Sequence, residues 1–249
     1  GYKALHTNTT ASENTAVGYA SLLNNTTGAK NTSLGKDTLF DNTTGANNVA
    51  IGNEALANNT TASNNVAVGH QAGLANTTAI QGTFVGEQAG FSNTTGIGNT
   101  LIGSDSGRLL TTGTRNQFFG KNSGETITTG SKNSIIGAYN GNENGLDIRT
   151  SSNFIVLSDG DGNPRASVDN NGTFRINKVA SSSAATGFEC EADGDTYITC
   201  DLSNGRVLYL NGKGSDGNLI ELAHENTTEG SITVSGTTVS YNGGHLSRW

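Results

Sequence analysis

The chain has 249 residues, of which 35 are glycine, 33% hydrophobic and 14% charged, with one proline and no methionine. A net charge of −7 argues against nucleic acid, because phosphate binding needs clustered Lys and Arg, and against docking on an anionic membrane. The longest apolar runs, such as Phe154–Leu157, are about four residues and far short of the roughly 20 that span a bilayer. Low hydrophobicity with abundant Asn, Thr, Ser and Gly would suggest disorder, but strict periodicity overturns that reading. No signal peptide is visible and the chain opens in mid-pattern at Gly1, so it reads as a piece of something longer.

Glycine falls at 1, 18, 35, 52, 69, 86, 103, 120 and 137, every 17 residues without a slip. One residue earlier stand Val17, Leu34, Ile51, Val68, Val85, Ile102, Phe119 and Ile136. Two earlier stand Ala16, Ser33, Ala50, Ala67, Phe84, Leu101, Phe118 and Ile135. Four earlier stand Asn14, Asn31, Asn48, Asn65, Asn99, Asn116 and Asn133, interrupted only by Gly82. The fourth residue after the glycine is Leu in early copies (Leu5, Leu22, Leu39, Leu56) and Gly later (Gly73, Gly90, Gly107, Gly124, Gly141). A Thr-Thr pair at the eighth and ninth positions recurs from Thr9-Thr10 to Thr128-Thr129.

Seventeen residues are too few for two packed helices, and the β-branched, Gly and Asn content disfavours helix. They suit two short strands and two turns, one rung of a parallel β-solenoid. Rungs stack ~4.8 Å apart, so nine would make a segment of roughly 40 Å. Equivalent residues then form ladders, and the Asn column can hydrogen-bond along its own. Both columns before the glycine are apolar apart from Ser33, although adjacent strand residues point to opposite faces. One column fills the rung and the other needs a partner. From Phe84 onward the second column is too apolar to leave in water at ~25 cal/mol per Å². A homotrimer around the fibre axis is the simplest solution, because one rung is too thin to hold a core.

After Gly141 the period fails, with Thr150 where the next Asn is due. Hairpin signals follow: strands at Phe154–Leu157, Arg165–Val168 and Thr173–Ile176, with turns at Asp159–Pro164 and Asn170–Gly172. Ser181–Thr186 is a small-residue linker, and short strands lie near Thr196–Cys200, Arg206–Leu210, Leu219–Leu222, Ser231–Val234 and Thr237–Tyr241. The expected architecture is all-β: a trimeric parallel β-solenoid over 1–144, a β-hairpin connector over 145–180, and a β-hairpin-rich C-terminal tip over 181–249.

The runs Asn-Thr-Ala-Val-Gly at 14–18, Asn-Val-Ala-Ile-Gly at 48–52 and Asn-Val-Ala-Val-Gly at 65–69 resemble head repeats of trimeric autotransporter adhesins, which are left-handed parallel β-rolls. The same motif occurs in bacteriophage tail fibres. Residues 152–163, 207–217 and 230–242 look like tail-fibre sequence near the distal tip. The run Gly243–Trp249 resembles the approach to a self-cleaving intramolecular chaperone, whose body is not in this sequence. The resemblance implies a virion tail-fibre component that recognises the host surface as a homotrimer. It implies as partners the rest of the phage tail and a receptor that is a polysaccharide or an outer-membrane protein. The alternatives are the head of a bacterial trimeric adhesin and an ice-binding solenoid, since regular Thr ladders also occur in that class.

Binding residues are expected on the tip or exposed turns, with Tyr209, Tyr241 and Trp249 as aromatic candidates. No catalytic residue, metal site or cofactor is expected. The run Asp159-Gly160-Asp161-Gly162-Asn163 begins like a calcium loop, but Pro164 and Asn170 stand where the EF-hand needs Gly and Glu, so a hairpin turn is expected. Asn8, Asn25, Asn42, Asn59, Asn76 and Asn93 head Asn-Thr-Thr triplets that match glycosylation acceptors, yet they fill one repeat column. Asp37, Glu54, Glu87 and Asp105 read as scattered carboxylates on a solvated face, unlike a polysaccharide-cutting pair. His6, His70, His224 and His245 share no ligand spacing. Cys190 and Cys200 would not face each other in a hairpin turning at Asp193-Gly194. They read as two free thiols, with a disulfide as the alternative.

Overall fold

The computed structural model describes residues 1–178, 187–199, 217–224, 227–235 and 238–243. All described secondary structure is β. Residues Gly1–Cys200 and Asp201–Trp249 form two compact units.

The first unit is a parallel β-solenoid. Its strands β1 (Thr15–Val17), β2 (Thr32–Leu34), β3 (Val49–Ile51), β4 (Val66–Val68), β5 (Thr83–Val85), β6 (Thr100–Ile102), β7 (Gln117–Phe119) and β8 (Ser134–Ile136) have three residues each. Each pairs in parallel with the next, residue i opposite residue i+17. Each repeat thus carries one strand rather than the two expected. The other side of the rung is irregular but tied to its neighbour by backbone bonds, such as Leu22 N–H to Thr38 O (3.0 Å) and Asn24 N–H to Phe40 O (3.1 Å).

The backbone explains the glycine column. A Cβ built on Gly18 would lie 2.1 Å from the carbonyl oxygen of Gly35, and φ there is +138°, so only glycine lets successive turns stack. From Gly18 to Gly120, left-handed backbone also recurs five residues before and two and four after each repeat glycine, as at Lys30 (φ 61°), Asp37 (φ 54°) and Leu39 (φ 48°). A leucine there costs roughly 1–2 kcal/mol. Leu22, Leu39 and Leu56 are fully buried, and burial of a leucine side chain returns about 1.5–3 kcal/mol, so packing wins.

The core lies inside the rungs. The heavier column, Phe84, Leu101, Phe118 and Ile135, is fully buried within the solenoid, which corrects the expectation that this column needs a partner and that a rung cannot hold a core. Room for it comes from the leucine-to-glycine change. Where the inward strand residue is Ser33, Ala50 or Ala67, leucines of the other side fill the interior. Where it is Phe84 or Phe118, the facing position is glycine. A Cβ on Gly90 would meet Phe84 Cδ1 at 2.5 Å, and one on Gly124 would meet Phe118 Cε2 at 2.4 Å.

Two Asn ladders line the turns. In the expected column each side-chain oxygen accepts the backbone N–H of the next copy: Asn48 N–H to Asn31 Oδ1 (2.9 Å) and Asn116 N–H to Asn99 Oδ1 (2.9 Å) are examples. The Asn-Thr-Thr asparagines form a second ladder, with Asn42 Nδ2 donating to Asn25 Oδ1 at 2.8 Å and Asn59 Nδ2 to Asn42 Oδ1 at 2.7 Å. From Asn25 to Asn93 they are fully buried, so in the folded chain they are closed to glycosylation.

The 17-residue spacing fails after Gly141, as expected, but parallel stacking continues for one more strand. Tyr139, buried with its hydroxyl donating to Leu146 O at 2.8 Å, anchors a small hairpin of β9 (Asn142–Glu143) and β10 (Leu146–Asp147). Burial pushes the Tyr139 hydroxyl pKa up, the Asp147 charge adding to it. This hairpin adds four residues to one rung. Thr128 N–H then bonds Arg149 O, 21 residues on instead of 17, and β11 (Ile155–Ser158) stacks in parallel on β8.

Strands β12 (Pro164–Val168), β13 (Phe174–Ile176), β14 (Gly187–Cys190) and β15 (Thr196–Thr199) continue the sheet as antiparallel hairpins. The inward column turns ionic here. Arg175 Nε donates to Glu189 Oε1 at 2.8 Å, Lys178 Nζ lies 2.5 Å from Glu189 Oε2, and Arg175 Nη2 lies 2.9 Å from Asp169 Oδ2. The second unit holds an antiparallel sheet of β16 (Gly217–His224), β17 (Thr227–Ser235) and β18 (Thr238–Gly243). The expected linker at 181–186 and strand at 206–210 lie outside the described residues.

Candidate functional site

Because paired residues share a sheet face, the register defines one outward stripe. It runs Val17, Leu34, Ile51, Val68, Val85, Ile102, Phe119, Ile136 and Leu157 through the solenoid. It continues as Ala166, Ile176, Phe188 and Ile198. Val17 is 53%, Ile136 57% and Phe119 37% exposed. The column directly before the repeat glycine is therefore the outward one. A continuous apolar stripe of this length is unusual on a surface in water.

The threonine pairs divide their work. The first of each pair donates its hydroxyl to the next rung, as Thr43 Oγ1 does to Thr60 O at 3.1 Å. The second, including Thr27, Thr44, Thr61, Thr78, Thr95, Thr112 and Thr129, is exposed. Each rung thus presents a single threonine column outward.

Three of the carboxylates expected to be scattered share a column. Asp37, Glu54 and Asp105 occupy equivalent positions, and Glu87 sits in the neighbouring one. Each has a partner: Lys36 lies 2.7 Å from Asp37, Gln71 Nε2 donates to Glu54 at 2.7 Å, Arg108 lies 3.6 Å from Asp105, and His70 lies 3.9 Å from Glu87. Phe40, Ala57, Asn58 and Leu74 join Asp37 and Glu54 around a shallow hollow of about 310 Å³.

A larger hollow, about 550 Å³, opens beside the four-residue insertion, lined by Leu109, Thr126, Thr128, Asp147, Arg149 and Thr150. Arg149 and Thr150 stand where the next Thr-Thr pair would be. Arg149 is fixed on Asp147 by three bonds, from its backbone N–H (3.1 Å) and Nε (3.0 Å) to Oδ1 and from Nη2 (2.7 Å) to Oδ2. These bonds hold the Asp147 carboxyl below its ordinary pKa. The sequence offered no motif for this hollow, since it arises from a change of spacing.

The Asp159 loop is a hairpin turn, as expected. Asp159 Oδ1 accepts the backbone N–H groups of Asp161 (3.0 Å) and Asn163 (2.9 Å), and Arg165 Nη2 pairs with Oδ2 at 2.5 Å. The Asn163 side chain and these partners lower its pKa to about 2. No group of three or more His, Cys, Asp or Glu among the described residues could hold a metal ion.

Of the aromatic candidates, Tyr241 lies in β18 opposite Ile232, while Tyr209 and Trp249 lie outside the described residues. His6 and His70 are exposed and far apart in the repeat, and His245 is outside the described residues. Cys190 is opposite Thr196, so the hairpin register does not set it against position 200. Among the described residues no helix is long and apolar enough to cross a membrane. No family model matches the chain, and neither a curated protein nor a solved structure matches it.

Proposed function

We infer that the chain is the distal part of a phage tail fibre, a homotrimer with a solenoid shaft and a β-rich tip that recognises the host cell surface from the virion. The observation that carries this reading is the exposed apolar stripe. Its members recur at rung spacing on one face of the sheet, as packing of parallel copies along a common axis requires. Its burial is favourable by ~25 cal/mol per Å². The resemblance of residues 152–163, 207–217 and 230–242 to tail-fibre sequence supplies the biological setting. Recognition then works by avidity, with weak contacts repeated on three identical chains. The contacts belong to exposed turns and the tip, with Tyr209, Tyr241 and Trp249 as the aromatic candidates there.

Sedimentation equilibrium tests the assembly. The chain of 25.5 kDa is expected to sediment at three times that mass, and Phe119→Lys with Ile136→Lys is expected to lower it while β-structure persists. A stable folded monomer of the unaltered chain overturns the trimer. Binding of the labelled chain to candidate host cells, with and without residues 179–249, tests the recognition role. Undiminished binding after deletion places the receptor site outside the tip.

A further inference from the structure

The hollow beside the insertion lies where a small hairpin interrupts the 17-residue spacing of the rungs. The hairpin of β9 and β10 borders a concavity of about 550 Å³, within the roughly 300–1,000 Å³ of small-ligand sites. Its polar wall is the Asp147–Arg149 pair, locked by three hydrogen bonds before any ligand arrives. Such preorganisation lowers the entropy lost on binding.

The chemistry of the wall selects the ligand. A guanidinium has five N–H donors, two of them spent on Asp147, and a carboxylate about four acceptor sites, three of them filled by Arg149, so the pair keeps about three donors and one acceptor side by side. The two charges cancel. An anion meets the Asp147 carboxylate and a cation meets Arg149, whereas a hydroxyl, which donates and accepts at once, satisfies both. Two adjacent hydroxyls on a rigid ring can take the free Nη hydrogens and the remaining carboxylate lone pair together. The threonine hydroxyls have the same dual character. Thr126 Oγ1 donates to Asn140 O at 3.0 Å and Thr128 Oγ1 to Arg149 O at 3.4 Å, which leaves their lone pairs as acceptors. Leu109, 37% exposed, offers an apolar patch for the C–H face of such a ring.

We propose that this hollow is a binding site for a neutral sugar ring of a surface polysaccharide, with Asp147 and Arg149 reading a pair of adjacent hydroxyls over Leu109. It deepens the surface-recognition reading and rests on it, naming a receptor chemistry and placing one contact on an exposed turn.

Saturation-transfer NMR on the whole chain tests it. The probes are methyl hexopyranosides of glucose, galactose, mannose and N-acetylglucosamine at millimolar concentration, with glucuronate, inorganic phosphate and glucosamine as charged controls. Transfer to the ring protons of at least one neutral glycoside is expected. Its affinity should fall at least tenfold in Arg149→Lys, which keeps the charge but loses the fork, and in Leu109→Trp, which fills the hollow. Tyr19→Ala, on an early rung, should leave it unchanged. Circular dichroism verifies that each variant is folded. Transfer to no neutral glycoside, transfer only to the charged probes, or transfer undiminished in both hollow variants overturns the proposal. The fibre reading is tested separately, since cell binding and trimer mass are measured without sugars.

Discussion

A Cβ on Gly82 would lie 2.5 Å from Cζ of Phe84. Gly82 is the one gap in the long asparagine column, and the phenyl ring two residues on occupies the space an asparagine side chain needs. Gly82→Asn restores the consensus of the column and is expected to destabilise the chain by about 1–3 kcal/mol through overpacking. Phe84→Ala alone should cost about 3–5 kcal/mol. The double variant should be more stable than the sum of the two losses, because the asparagine then finds room and accepts the N–H of Asn99. A double-mutant cycle on thermal unfolding measures this coupling, and additive losses would refute it.

The buried asparagines are not equivalent. Asn42 donates to Asn25 Oδ1 and Gly45 O and accepts from Asn59. Asn93 donates to Gly96 O at 3.1 Å, and below it Asn76 Oδ1 has no partner. The two copies above carry Leu110 and Ile127 in the same column, both buried. Asn42→Leu leaves buried partners unsatisfied at about 1–3 kcal/mol each. Asn93→Leu extends the apolar part of the column and should change stability by less than about 1 kcal/mol. Unfolding midpoints of the two variants compare them directly.

Much of this was legible in the sequence and some was not. Strict spacing revealed the rung, the parallel stacking and the asparagine ladder, since an in-phase column can only stack on itself. It could not say which of Val17 and Ala16 points inward, because alternation gives two faces without naming them. That choice follows from volume: Phe84 fits inside only because Gly73, Gly82 and Gly90 surround it, a relation between columns and not within one. Nor could spacing distinguish an insertion from an ending. Thr150 looked misplaced by one scheme and falls into its proper column once four residues are looped out.

Glu189 sits between Arg175 and Lys178, 1% exposed by side chain. Glu189→Gln leaves two buried cations with less compensating charge, and removing one partner of a buried pair costs about 3–5 kcal/mol. Hydrogen exchange of β13, β14 and β15 should accelerate while that of β3 and β4 stays unchanged. Uniform acceleration in both regions would argue that the cluster is not a local clamp.

Asp159 provides a pH test. Its pKa is lowered to about 2, first by the Asn163 side chain. A depressed carboxylate pKa stabilises the turn above the ordinary value and loses that contribution as pH falls through the folded value. The β11–β12 turn is therefore expected to remain intact at pH 4 and to loosen toward pH 2. Asn163→Ala should raise the Asp159 pKa toward the ordinary carboxylate range, read from its carboxyl carbon shift.

The four residues looped out at β9 and β10 leave the strands on either side in unbroken parallel register, Ser134 still opposite Ile155. Segment length at that corner is thus uncoupled from the ladder. The corner is a natural graft point, where foreign peptides can be displayed at a chosen height along the solenoid and exchanged without re-engineering the rungs that carry them.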